Sequence, residues 1–427
     1  MDTIFALASA RGKSGVAVLR ISGPQAFTAS ERLMGSLPDP HMARVRSIRS
    51  ASGDLIDKAL AIRFPQDASF TGEESVEIQC HGSPAVVSSI LRELSDMDGL
   101  RLAEPGEFSR RALENERMDI AQIEGLGDLI EAETEAQRRQ ALRVMTGKLG
   151  QKVERWREQL IRAMALLEAT IDFADEDVPV DVVPEVTRLL TTCLEELRAE
   201  AEGSKTAERV RDGFQVAILG APNVGKSTLL NHLAGREVAI TSDIEGTTRD
   251  VISAKLDLNG LPVEFLDTAG LRESSDVIES IGIKRARRAA EEADLRVVLV
   301  EREGEEPDVV LGPDDLVLIA KSDVSAPNGI SGQTGVGVRQ MLSHITEVLE
   351  KSVSGVGVAI KERHRVAIEA GISSIDGALT VLNSGELRAE LAAEELRSAV
   401  MVVESLVGRV DVEHILDEVF SRFCIGK

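Results

Sequence analysis

The 427-residue sequence has no tyrosine, one tryptophan and ten phenylalanines. Its basic segments therefore lack interleaved rings on which nucleobases stack, and any RNA contact they make goes to phosphates. Positive charge is also short: 49 Lys and Arg stand against 72 Asp and Glu, a formal net charge of -23. That balance excludes broad, nonspecific attraction to nucleic acid and gives no reason to expect DNA binding. The three cysteines, Cys80, Cys193 and Cys424, are too scattered for a disulfide framework or a zinc site, and they fit a reducing compartment. No apolar run approaches membrane-spanning length, and the opening Met1-Asp-Thr-Ile-Phe-Ala6 has neither the basic start nor the apolar core of a signal peptide. The expectation is a soluble, cytoplasmic, multi-domain protein without a membrane partner.

What the sequence does contain is organised around Gly220-Ala-Pro-Asn-Val-Gly-Lys-Ser227. A strand-length apolar run, Phe214 to Leu219, leads into this turn, and Thr228 to Leu233 leave it with a helical pattern. This is the context required of the phosphate-binding pattern G-x-x-x-x-G-K-[ST]. Glycines let the backbone wrap a phosphate while the N–H groups of Asn223, Val224, Gly225 and the first helical turn through Thr228 point inward. Lys226 is placed for the β- and γ-phosphates, and the Ser227 hydroxyl for Mg²⁺.

Four further segments point to guanine rather than adenine. Asp267-Thr-Ala-Gly270 (Asp267, Thr268, Ala269, Gly270) follows the strand Val263 to Leu266. A carboxylate there can hold Mg²⁺ through water, and the Gly270 N–H can sense a γ-phosphate. Gly246-Thr-Thr-Arg-Asp250 supplies Thr247 and Thr248, with Thr248 the candidate second Mg²⁺ ligand in a loop that orders on nucleotide binding. Lys321-Ser-Asp323 offers Asp323 to guanine N1 and N2, a donor pair adenine lacks, which opposes an ATPase. Ser331-Gly-Gln333 (Ser331, Gly332, Gln333) can present N–H groups to guanine O6. Leu271 stands where a glutamine usually orients the attacking water, so hydrolysis needs another polar group; Glu273, Asp276 and Glu279 lie just downstream.

Elsewhere the chain changes character. Residues 1–117 read as mixed α/β, with strands at Gly15 to Ile21, Leu60 to Phe64 and Ser75 to Cys80 and a helix from Pro84 to Leu94. Arg20, Glu77 and Arg117 are the charges of interest there. Residues 118–213 are helical, broken by an acidic, proline-containing stretch between Asp172 and Pro184. Arg138, Arg139, Arg143, Lys148, Lys152, Arg155, Arg157 and Arg162 form a basic run that is either an RNA-facing stripe or a solvated helix face. Residues 214–352 alternate strands and helices as a doubly wound sheet does, and 353–427 return to helix, with Asp411 a candidate cap for the last one. Helices on both flanks suggest one discontinuous helical domain around an inserted Ras-like P-loop GTPase domain.

Asn223, Gly246-Thr-Thr-Arg-Asp250, Asp267-Thr-Ala-Gly-Leu-Arg272 and the terminal Cys424-Ile-Gly-Lys427 resemble the MnmE (TrmE) family of tRNA modification GTPases, as do Asp2 to Ala8, Val18 to Pro24 and Asn115 to Gln122. The resemblance spans the whole chain. It implies a homodimer joined by an N-terminal α/β folate-binding-like domain, and a heterotetramer with the FAD-containing partner MnmG (GidA). Together they would add a carboxymethylaminomethyl or aminomethyl group at C5 of the wobble uridine of certain tRNAs. The carbon would come from 5,10-methylenetetrahydrofolate, for which a formyl-tetrahydrofolate analogue can substitute in binding. Folate-binding positions implied by the resemblance are Arg20, Glu77, Arg117 and Lys427; Arg117 stands where Lys is common. The resemblance also implies that Ser242, Asp243, Ile244, Glu245 and Gly246 line the nucleotide. K⁺ would be held by Asn223, Ser242, Ile244 and Thr247, giving the charge that an arginine finger gives elsewhere. Glu279 matches the family's general base, and Cys424 is a candidate catalytic thiol without an assigned role. Ala320 stands where Asn is common, and Ser331-Gly-Gln333 replaces the usual S-A-[KR]. A GTPase regulating ribosome assembly, without modification chemistry, is the alternative; the sequence shows one phosphate loop and no recognisable RNA-binding module to favour it.

Overall fold

The structure, a computed structural model, describes residues 2–172, 182–236, 240, 253–267, 291–307, 309–323, 328–353, 357–384, 389–410, 419–420 and 426. Two compact units result: Met1–Gly127 with Glu404–Lys427, and Asp128–Val403.

In the first unit the strands are β1 (Thr3–Leu7), β2 (Ser14–Ser22), β3 (Arg44–Arg49), β4 (Leu55–Phe64), β5 (Ser75–Gly82) and β6 (Leu100–Leu102). They form one sheet in the order β3-β4-β5-β2-β1-β6, antiparallel except where β1 meets β6. Alternation along the strands explains its two faces. Phe5, Leu19, Ile21, Val76 and Ile78 point to a core closed by α1 (Ala26–Met34) and α2 (Pro84–Ser95), through Leu33, Ile90 and Leu94. Each of these buried aliphatic side chains stabilises the unit by about 1.5–3 kcal/mol. The odd-face residues of β1, Ile4 and Ala6, pack instead on Phe70, Ala103 and Phe108, the last from α3 (Glu107–Glu114). The helix α4 (Ile120–Glu131) follows.

The second unit is part helical and part sheet. α5 (Glu135–Met145) opens on a capping box in which Thr134 and Gln137 exchange hydrogen bonds. α6 (Lys148–Asp172) and α7 (Val183–Asp212) run antiparallel, since Lys152 meets Glu200, Trp156 Nε1 donates to Glu196 at 3.0 Å, and Arg162 meets Glu185 at 3.3 Å. Pro184 sits in the first turn of α7, where its missing N–H costs nothing. The sheet strands are β7 (Phe214–Gly220), β8 (Ser253–Leu258), β9 (Leu261–Asp267), β10 (Leu295–Val300) and β11 (Leu316–Ile319), in the order β11-β10-β7-β9-β8. All neighbours are parallel except the β8–β9 hairpin. Its turn, Asn259-Gly260, has φ of 54° and 88° at the two residues, as such a tight turn requires. α8 (Lys226–Ala234) and α9 (Val338–Ser352) cover the sheet through Leu229, Leu230, Met341 and Ile345.

After α9 the chain returns to α10 (Glu362–Leu382) and α11 (Ala389–Ser405). The return segment is tied to the earlier helices along its length. Glu200 accepts from the N–H groups of Val358 and Ala359, Arg211 donates to the Ile360 carbonyl at 2.7 Å, and Lys361 pairs with Asp128 at 2.7 Å. α10 then lies on α7, where Arg198 and Asp376 pair at 2.8 Å, and α11 reaches α6 through Arg397 and Glu168 at 3.0 Å. Among the described residues no helix is long and apolar enough to cross a membrane.

Candidate functional site

The phosphate-loop sequence does sit between a strand and a helix, β7 and α8. Gly220, at φ +141°, passes so close to β10 that a Cβ there would lie 2.3 Å from the Leu299 carbonyl oxygen. Gly225 caps α8 from the left-handed region, at φ 118°. Asn223 is exposed and also left-handed, at φ 59°. Lys226 is 5% exposed, and its Nζ donates to the carbonyls of Gly220 at 2.9 Å and Ala221 at 2.8 Å. Its ammonium is thus held within the curve of the loop. Ser227 Oγ donates to Asp267 Oδ2 at 2.6 Å, so residues 40 positions apart meet because β7 and β9 pair in parallel with Ile218 opposite Asp267. Two hard oxygen donors beside a helix N-terminus form a donor set suited to Mg²⁺.

The base-recognition candidates also converge. Lys321 turns the chain out of β11 at φ 54°, and Ser331 Oγ donates to Asp323 Oδ1 at 2.8 Å. The same hydroxyl accepts from the N–H groups of Gln333 at 3.3 Å and Thr334 at 3.1 Å, which fixes the Ser331–Gln333 loop around it. Ser331 is 2% exposed whereas Asp323 is exposed, so a buried hydroxyl aims a solvent-facing carboxylate. Gly332 lies on the first turn of α8, beside Thr228 and Leu229.

In the first unit Arg20 and Glu77 are cross-strand partners on β2 and β5. Arg20 Nη2 donates to Glu77 Oε1 at 2.9 Å, with both side chains 21% exposed. The guanidinium lies 5.3 Å from the Phe70 ring centroid and 5.6 Å from that of Phe108, within cation–π range. Arg117 is exposed, and its stem packs beside Gly72, in the same Phe70–Glu73 loop. That loop also buries Thr71 and Glu73 against Ser22, which bonds both at 2.7 and 2.8 Å. Gly426 abuts the end of β1, where a Cβ would lie 2.2 Å from the Leu7 carbonyl oxygen. Phe70 and Phe108 escaped sequence reasoning because isolated phenylalanines carry no periodic signal. A buried ionic cluster went unread for the same reason: Arg111 joins Glu73 at 3.1 Å, Glu107 at 3.1 Å and Asp2 at 2.8 Å.

Several candidates lie outside the described residues: Ser242, Asp243, Ile244, Glu245, Gly246, Thr247, Thr248, Thr268, Ala269, Gly270, Glu273, Asp276, Glu279, Asp411, Cys424 and Lys427. The basic run of α5 and α6 resolves towards a solvated face. Arg138 and Arg139 both pair with Glu135, Lys152 with Glu200, Arg155 with Glu196, Arg157 with Glu154 and Arg162 with Glu185. Carboxylates from α7 and from the same helices cancel the charge that phosphates would need.

Residues 3–117 match the family model described as the GTP-binding protein TrmE N-terminus, and residues 120–424 that of the MnmE helical domain. Curated relatives called tRNA modification GTPase MnmE, from Roseobacter denitrificans, Dinoroseobacter shibae and Cereibacter sphaeroides, are 56%, 57% and 57% identical to the chain. Each alignment covers 100% of this chain and 100% of the relative.

Proposed function

The chain belongs to the MnmE (TrmE) family of tRNA modification GTPases, and on that premise we propose that its GTP-driven switch serves one-carbon chemistry on the wobble uridine of tRNA. The observation that carries the nucleotide half is the convergence of Lys226, Ser227 and Asp267 at one helix N-terminus. There the loop N–H groups and the Lys226 ammonium bind the β- and γ-phosphates, and Asp323, aimed by Ser331, selects guanine. Mg²⁺ would be held by Ser227, by Asp267 through water and by Thr248, and it neutralises charge on the phosphates. K⁺ would be held by Asn223 with oxygens of Ser242, Ile244 and Thr247 when two GTPase domains meet. Glu279 orients the attacking water, in place of the side chain that Leu271 cannot offer.

The one-carbon half rests on the first unit. Arg20 and Glu77 present a paired cation and anion beside two aromatic rings, a surface suited to a flat, polar-edged pterin. Gly426 at the end of β1 supports a reading in which Lys427 joins Arg20, Glu77 and Arg117 at the folate. The same unit forms the homodimer, and MnmG, carrying FAD, completes a heterotetramer on the tRNA. Purified chain should hydrolyse GTP faster in KCl than in NaCl, and Ser227→Ala should lose that hydrolysis. In a deletion strain, nucleoside analysis of tRNA should show the wobble-uridine modification restored by the natural chain and not by Ser227→Ala. Unchanged modification in the deletion strain would sink the tRNA reading; equal rates in the two salts would remove K⁺.

A further inference from the structure

We propose that Gly332 is a positioning residue that sets guanine affinity by welding the base-recognition loop to the first turn of the phosphate-loop helix. The inference rests on the reading of Asp323 and Ser331–Gln333 as the base site. A Cβ on Gly332 would lie 2.5 Å from the Leu229 nitrogen, 2.7 Å from Leu229 Cα and 2.7 Å from the Thr228 carbonyl carbon. All three are backbone atoms of α8, one residue beyond Lys226 and Ser227, so no side chain can swing aside to make room. Gly332 does not occupy the left-handed region that favours glycine; the requirement is space.

Two further contacts extend the seam. One turn along α8, Gly335 meets the His232 ring, with a Cβ position 3.0 Å from Cε1. Beneath the loop, Ala320 and Ile330 are buried in the same apolar cluster as Leu229 and Leu230. Ala320 is also tied to β10, its N–H donating to the Val300 carbonyl at 2.8 Å. The methyl of Ala320 cannot make the polar tie that an asparagine could, and backbone-to-backbone packing at Gly332 takes that place. Base loop and phosphate helix therefore behave as one rigid body. Displacing the loop would pull Ser331 Oγ from Asp323, now at 2.8 Å, and shift the loop N–H groups from guanine O6.

The test is a titration of the full chain with fluorescent GDP. Gly332→Ala should weaken binding roughly tenfold or more, as overpacking against fixed backbone does. Gly235→Ala, at the far end of α8 where a Cβ meets only ordinary contacts at 3.5 Å, should stay within about twofold of the natural chain. Gly332→Ala binding as tightly as the natural chain would overturn the proposal. Should Gly332→Ala fail to fold, hydrogen exchange on the natural chain decides. Guanosine, which has the base but no phosphate, should slow exchange in residues 226–234 as well as 328–334, and protection confined to 328–334 overturns the weld. A natural chain that does not prefer GDP to ADP is a separate failure, of the base-site reading itself.

Discussion

Removing the Glu200 carboxylate should loosen the return segment between α9 and α10. Glu200 is 2% exposed, and its Oε1 accepts from the N–H groups of Val358 and Ala359, which are themselves buried. Glu200→Ala leaves both donors without a partner where water has little access, at about 1–3 kcal/mol each. Lys152, the third partner, is 36% exposed and can turn to solvent, so its loss adds little. Relief of the buried charge offsets part of the cost, and the expected net destabilisation is about 3–5 kcal/mol. Gly357 supplies an internal check, because a Cβ there would lie 2.6 Å from Glu200 Oε1. Gly357→Ala should destabilise the natural chain but much less in the Glu200→Ala background, a coupling of about 1–2 kcal/mol. Trp156, the one tryptophan, is fully buried on α6 facing α7 and reports unfolding of this helical layer by fluorescence in urea. The midpoint should fall by about 1 M or more. A Glu200→Ala midpoint equal to that of the natural chain, or strictly additive effects of the two substitutions, would refute the reasoning.

Two further outcomes follow from the shifted ionisations. Burial opposes the charge on Glu107, but hydrogen bonds from Arg101, the Glu104 N–H and Arg111 outweigh it and hold the carboxyl below its ordinary 4.5. A depressed folded value means this stabilisation is present above about pH 4.5 and disappears as the pH falls through the folded value. Glu107→Gln should therefore flatten the acid-unfolding limb of the first unit seen by circular dichroism; an unaltered limb contradicts the assignment. Burial, with Asp57 nearby, pushes the Cys80 thiol up to about 11, and burial, with Glu196 nearby, pushes Cys193 up to about 12. Neither should react with iodoacetamide in the native chain at about pH 8, while both label after denaturation. Native labelling of either, read by peptide mass spectrometry, would mean the packing around it is wrong.

Much of this protein was legible before folding. Local patterns with one physical cause each, such as strand–glycine turn–helix at Phe214 to Leu233 or alternation at Ser75 to Cys80, gave elements that the structure reproduces within a residue or two at most ends. The strand at Leu60 was longer, starting at Leu55, because its first half lies at the sheet rim and alternates weakly. The hairpin of β8 and β9 had a signal in Asn259-Gly260 that went unused. The basic run from Arg138 to Arg162 shows the opposite limit: charge can be counted along a chain, but its cancellation by Glu196 and Glu200 depends on which helix lies alongside.

By itself, then, the sequence determined what contiguous residues decide: the phosphate loop, the order of the nucleotide segments and the family. Tertiary structure alone decided what distant residues do together. It brought Ser227 to Asp267 through parallel strand register, set Arg20 between Glu77, Phe70 and Phe108, and pressed Gly332 onto the backbone of α8. The physical reason is range. Backbone conformation and hydrophobic period are written within a few residues, whereas hydrogen bonds, ion pairs and steric exclusion act over a few ångströms between segments that only packing makes neighbours.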